Sequence, residues 1–191
     1  MSRYSITNAI GKVAIGVTLL SLPQAANATP LTYAVHQLIG PGSATGTITT
    51  DGTIGTLAAA DIISWDLHLN DGIDTSQLLS SEPTNFVVVE GSALTGSLSN
   101  LTFNYSSGPF ADFYFGDSDG DGELCYTASS NCWGPTGVGV YNVAGDNQSV
   151  YIGVAGNQVI ASAVPEPITL SMFAGGLAGA AAMRRRKAKS A

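Results

Sequence analysis

The stretch Ile63-Ser64-Trp65-Asp66-Leu67-His68-Leu69-Asn70, closed by Asp71-Gly72, decides the fold class. Ile63, Trp65, Leu67 and Leu69 alternate with Ser64, Asp66, His68 and Asn70. A period of two sends successive side chains to opposite faces, so this reads as a half-buried strand ending in a turn. Upstream, Ala44–Thr50 reads as a Thr-rich strand closed by Asp51-Gly52, a hairpin signal. Short strands are also expected at Leu31–Ile39, Phe86–Glu90, Ala93–Leu98, Leu101–Tyr105, Phe110–Phe115, Val138–Val143, Val150–Ala155 and Gln158–Ser162. Leu57–Ile62 is at most one helical turn, and no longer amphipathic helix stands out. About nine to eleven strands separated by Gly, Asn and Asp turns predict an all-β domain, an antiparallel sandwich or jelly roll.

That domain occupies residues 29–163, enough chain to bury a core. Its charge is one-sided. All 7 Lys and Arg residues lie outside it, in positions 3, 12 and 184–189, whereas 13 of the 14 acidic residues lie inside. The formal charge of 29–163 is therefore −13, against −7 for the whole chain. With no basic side chain to meet phosphate, nucleic acid, nucleotides and anionic membrane surfaces are poor partners. Each carboxylate must instead be solvated, hydrogen-bonded or bound to a cation.

Three groups of residues invite a chemical reading. In Gly116-Asp117-Ser118-Asp119-Gly120-Asp121-Gly122-Glu123, carboxylates recur at every second position before a Gly, as in the first half of a Ca²⁺ loop. Asp117, Asp119, Asp121 and Glu123 are the candidate calcium ligands; the bidentate Glu that closes an EF-hand is absent, since Ala128 stands there. Cys125 and Cys132 are the only cysteines, and in an exported protein a disulfide between them is the default. His36 and His68 are the only histidines; His68 shares a strand face with Asp66, but no G-x-S-x-G elbow accompanies them. No catalytic residue is assigned, and turnover is not expected.

The two ends carry a destination. Arg3 and Lys12 precede an apolar run, Val13–Leu22, that Pro23 breaks; Ala26-Asn27-Ala28 then offers an A-x-A cleavage site. Residues 1–28 thus have the form of a secretory signal peptide, with an apolar helix too short to span. At the other end, Val164-Pro165-Glu166-Pro167 leads into an apolar segment, Ile168–Met183, and then Arg184-Arg185-Arg186-Lys187. Sixteen residues make a helix of about 24 Å, short against a hydrocarbon core of about 30 Å. The basic end would stay in the cytoplasm by the positive-inside rule, leaving 29–163 outside.

A Pro-Glu-Pro triplet, a short transmembrane helix and a basic end at 184–189, in that order, resemble the PEP-CTERM sorting domain of exported bacterial proteins. The resemblance implies that residues 164–191 form a tail processed near Val164–Pro167 by an exosortase, a membrane transpeptidase-like enzyme. It implies a membrane-held intermediate, then delivery to the cell surface or extracellular matrix of a Gram-negative bacterium. The segment Gly46–Gly72 is also similar to a stretch of small PEP-CTERM cargo proteins, through Asp51, Gly52, Gly55, Leu57, Asp61, Ile62 and Trp65. The expected role is structural or adhesive in an exopolysaccharide matrix, with Ca²⁺ bridging its carboxylates to acidic polysaccharide. The alternative is a secreted carbohydrate-binding protein or carbohydrate-active enzyme, with Trp65, Trp133 or Tyr141 lining its site.

Overall fold

In a computed structural model, the described residues are 29–128, 132, 135–141, 143–145 and 148–165. Residues 1–28, expected as a signal peptide, and the expected transmembrane segment Ile168–Met183 lie outside them. Within them the chain is all-β, two antiparallel sheets packed face to face, with two single 3-10 turns, Ala59–Asp61 and Val143–Gly145, as the only helical pieces. The first turn falls where Leu57–Ile62 predicted it.

The strands are β1 (Leu31–Ile39), β2 (Gly42–Thr50), β3 (Gly55–Thr56), β4 (Ile62–Asn70), β5 (Thr75–Leu79), β6 (Asn85–Glu90), β7 (Leu94–Gly96), β8 (Asn100–Asn104), β9 (Asp112–Asp117), β10 (Glu123–Thr127), β11 (Gly137–Tyr141), β12 (Ser149–Gly153) and β13 (Asn157–Ala163). One sheet has eight strands in the order β3-β7-β8-β13-β1-β2-β4-β5; the other has five, β12-β11-β10-β9-β6. The last strand pairs with the first, Tyr33 opposite Ala163. The domain therefore begins and ends side by side in the middle of the larger sheet.

Inward residues of both sheets form one core. Tyr33, Ile48, Leu67, Leu69 and Phe103 come from the eight-stranded sheet, and Phe113, Phe115, Leu124, Tyr126 and Val140 from the five-stranded one. Aromatic contacts join the layers. The Phe113 and Tyr126 rings stack at 5.6 Å, and Phe103 lies 6.2 Å from Tyr126 across the interface. Aromatic pairs at these separations add about 0.5–1.5 kcal/mol beyond their area burial.

The alternation in 63–70 holds from Trp65 onward and fails at Ile63. Ile62 is 5% exposed and Ile63 is 50% exposed. The partner strand explains the reversal: Thr49 faces Ser64 but Thr50 faces Ile62, so a bulge takes up one residue of β4. A one-residue slip exchanges the two faces, and Ile62, not Ile63, joins the core. Asp51-Gly52 is likewise a turn, but not the expected tight hairpin. The chain first visits the far edge as β3 and then returns to pair β4 with β2, the excursion closed by the Asp51 N–H donating to the Asp61 carbonyl at 2.9 Å. Asp71-Gly72 does join adjacent strands, and Asp71 Oδ1 accepts the Ile73 and Asp74 N–H groups, both at 2.8 Å.

The bulge makes a prediction by substitution. Leu67→Ala, at a position with no exposure, should lower the unfolding free energy by about 2–5 kcal/mol. Ile63→Ser should change it by no more than about 0.5 kcal/mol. Urea titration of both variants checks this, and a larger loss at Ile63 than at Leu67 would contradict the assigned register.

Candidate functional site

The outward face of the five-stranded sheet differs from every other surface of the domain. Register places Val88, Tyr114, Cys125, Gly139 and Tyr151 in one row across it, and Phe86, Gly116, Glu123, Tyr141 and Ser149 in the next. Four aromatic side chains thus stand on the side away from the core. Strands about 4.8 Å apart make this face roughly 19 Å wide between its outer strands.

Glycines on the same face give the rings room to lie down. A Cβ on Gly139 would meet the Tyr141 ring at 2.5 Å, one on Gly137 would meet Tyr151 at 2.7 Å, and one on Gly116 would meet Phe86 at 2.9 Å. Each ring covers a position where any other residue would push it off the sheet. Phe86 and Tyr114 meet edge to face at 5.8 Å. Tyr151 is fixed by its hydroxyl, which donates to the Thr136 carbonyl at 2.7 Å.

Cys125 and Cys132 form the expected disulfide, with a Cα–Cα distance of 6.3 Å. Together with Tyr141 and the half-buried Tyr114 they make a small apolar cluster separate from the core. The bridge lies on the aromatic face and ties the segment after β10 to it.

Carboxylates border the rings. Burial holds the Tyr114 hydroxyl above the usual phenol range, reinforced by the charges of Glu90, Glu123 and Asp112. Burial pushes Tyr141 up to about 12, with Tyr151 and Glu123 adding to the shift. Both phenols therefore stay protonated at neutral pH and keep an O–H to donate. The Tyr141 hydroxyl is buried and has no hydrogen-bond partner among the described residues. Asp112 is itself buried and accepts the Thr127 hydroxyl. The face thus offers the Phe86, Tyr114 and Tyr151 rings with the Glu90 and Glu123 carboxylates beside them, while the Tyr141 hydroxyl and Asp112 are buried under it.

The residues singled out from sequence fall elsewhere or only partly here. Trp65 packs against the core, 5.4 Å from Phe115, and does not line an outer surface. Trp133 lies outside the described residues. Asp117, Asp119 and Asp121 sit at the β9–β10 turn, where Asp117 Oδ1 accepts the Asp119 N–H at 2.9 Å and so closes its own turn. Glu123 has already entered β10, opposite Gly116 and Tyr141, and belongs to the aromatic face. No group of three or more His, Cys, Asp or Glu side chains converges as a metal ion would require among the described residues. The Asp66 carboxylate lies 3.6 Å from His68 Nε2 and accepts Gln77 Nε2 at 2.8 Å, and neither histidine hydrogen-bonds a serine among the described residues.

The sorting tail leaves the fold abruptly. The Ala163 N–H donates to the Ser99 carbonyl at 2.7 Å and the Val164 N–H to the Thr32 carbonyl at 2.8 Å. Val164 and Pro165 are already exposed. Glu166, Pro167, Arg184, Arg185 and Arg186, with Ala26 and Ala28 of the signal cleavage site, lie outside the described residues. Among the described residues no helix is long and apolar enough to cross a membrane.

Comparison with known proteins agrees with the tail. A family model for the PEP-CTERM protein-sorting motif matches residues 163–187. No curated protein and no solved structure matches the chain. The match begins on the last residue of β13, so the sorting motif follows the sandwich with no linker between them.

The turn geometry bears on calcium. With Asp117 closing its own turn and Glu123 committed to a strand, adding Ca²⁺ or a chelator should leave the melting temperature unchanged. A rise of several degrees with Ca²⁺, abolished by Asp119→Asn, would show that the turn rearranges around the ion.

Proposed function

We propose that this exported PEP-CTERM protein, an exosortase substrate, binds polysaccharide at the cell surface or in the extracellular matrix of a Gram-negative bacterium, without turnover. The observation that carries the reading is the outward face of the five-stranded sheet, with Phe86, Tyr114, Tyr141 and Tyr151 laid against it and Glu90 and Glu123 beside them. A sugar ring has an apolar face of C–H groups and an equatorial edge of hydroxyls. Aromatic side chains pair a large apolar surface with a polar tip and suit such a ligand. Carboxylates and protonated phenols serve its hydroxyls as acceptors and donors.

Charge narrows the polymer. A domain of formal charge −13 with no basic residue repels a polyanion. A neutral polysaccharide fits best, held along the sheet face as an extended chain rather than as a single sugar in a deep pocket. Many weak contacts along one polymer, repeated over many copies of the protein, provide adhesion through avidity. This is the structural or adhesive role that the sorting tail invites, given a specific surface.

The test is binding to a panel of neutral and acidic polysaccharides by affinity electrophoresis. The expected result is retardation by a neutral polymer, weakened about tenfold or more by Phe86→Ala with Tyr114→Ala, a loss of about 1.4 kcal/mol or more. Binding should be flat through neutral pH and fall at alkaline pH as the phenols ionise, near 12 for Tyr141. Equal retardation of the variant, or no retardation by any polymer, would remove the proposal.

A further inference from the structure

We infer that in the unprocessed protein the end of the sandwich from which the tail departs lies directly on the bilayer, seating Leu98, Val164 and Ile54 against the lipid surface. The inference rests on the reading that Ile168–Met183 enters the membrane.

The tether is the first observation. Val164 is pinned to Thr32 at the sheet, and only Glu166 and Pro167 separate the described chain from Ile168. Three Cα steps span at most about 10 Å when fully extended. A domain held that close cannot drift free of the headgroups, and a tether this short keeps the local concentration of lipid surface high.

The second observation is what this end exposes. Leu98, at the β7–β8 turn, is 76% exposed, Ile54 55% and Val164 44%. They are neighbours by register. The Ser99 carbonyl accepts from Ala163, which precedes Val164, and Gly96 sits close to the Thr53 carbonyl just before Ile54. Between Leu98 and Val164 runs an open groove of about 660 Å³, lined also by Pro30, Leu31, Ala163 and Pro165 with Thr32 and Ser99, and mostly apolar. The opposite end exposes Leu38 at 70% and Ile73 at 78%, so the short tether, and not exposure alone, singles out this end for the bilayer. Asp51 Oδ1 accepts the Thr53 N–H at 2.8 Å and Asp61 Oδ2 the Ala58 N–H at 2.7 Å, and carboxylates beside the contact favour zwitterionic over anionic headgroups.

The third observation is the other terminus. Pro30 lies in the same groove as Pro165. Before signal removal, both apolar segments of the chain therefore reach the bilayer from this one end. The domain hangs from the membrane at two adjacent points, and the Val164–Pro167 processing region sits at the lipid surface, where a membrane enzyme can reach it.

The experiment places an environment-sensitive fluorophore on single cysteines in the full chain reconstituted into vesicles, under non-reducing conditions that preserve the native disulfide. Leu98→Cys and Ile54→Cys report the proposed contact. Thr75→Cys reports the opposite end of β4 and β5, and Ala178→Cys reports the tail. Lipid-borne quenchers should dim the probes at 178, 98 and 54 and leave the probe at 75 bright. Quenching at 178 with equal brightness at 98, 54 and 75 would overturn the inference and leave the sorting reading intact. No quenching at 178 would overturn the membrane placement of the tail, and the inference with it.

Discussion

Between Lys12 and Arg184 the chain has no lysine and no arginine. Every carboxylate of the domain must therefore be met by water, by a backbone N–H, by a neutral side chain or by a bound cation, since an unpaired buried charge is too costly to keep. The fold follows that constraint. Asp51, Asp61, Asp71 and Asp117 each accept a backbone N–H two or three residues away and so build the turns. Asp66 takes the Gln77 amide and Asp112 the Thr127 hydroxyl. Acidic residues here act first as turn-makers. That is why a domain of such extreme charge can still close a dry core of aromatic and aliphatic side chains.

The same constraint divides the surface. The outer face of the eight-stranded sheet carries Thr45, Thr47, Thr49, Ser64, Asn100 and Thr102, with Asp66 its one carboxylate and His68 beside it. The outer face of the five-stranded sheet collects rings and acids instead. The end where β1 starts and β13 finishes exposes Leu98, Ile54 and Val164, and the opposite end exposes Leu38 and Ile73. The two sheet faces so differ in chemistry, one polar and one aromatic, and both termini of the domain leave from one end. Pairing the first strand with the last is what puts that end and the sorting motif together.

Much of this was legible in the sequence. Period-two alternation located most strands, Asp-Gly pairs located turns, and the two cysteines were assigned to each other from compartment alone. The tripartite tail identified the sorting motif. Other features depend on partners that no local pattern reveals. The bulge at Ile63 exists because β2 and β4 count differently between Thr49 and Thr50, and alternation in β4 alone points Ile63 the wrong way. The short strands β3, β5 and β10 escaped notice because two to five residues beside Gly, Asp and Cys carry little periodicity. The aromatic face is the largest omission. Phe86, Tyr114, Tyr141 and Tyr151 lie on four strands and become neighbours only through register, whereas Trp65, the most conspicuous aromatic residue by eye, turned out to pack in the core. One signal was available: Gly at alternate positions in Gly137-Val138-Gly139-Val140-Tyr141 marks a strand with one bare face, the face on which rings then settle.

The central claim is that this sandwich is exported and cut from its tail just beyond its last strand. The most direct measurement is the intact mass of the protein recovered from the membrane, cell-surface and medium fractions of its own cells, before and after reduction. The account predicts a surface or medium species running from Thr29 to a residue within Val164–Pro167, lighter by two hydrogens than its reduced form. A species retaining Arg184–Arg186 in every fraction would contradict it, because the tail would then be a plain anchor and not a sorting signal.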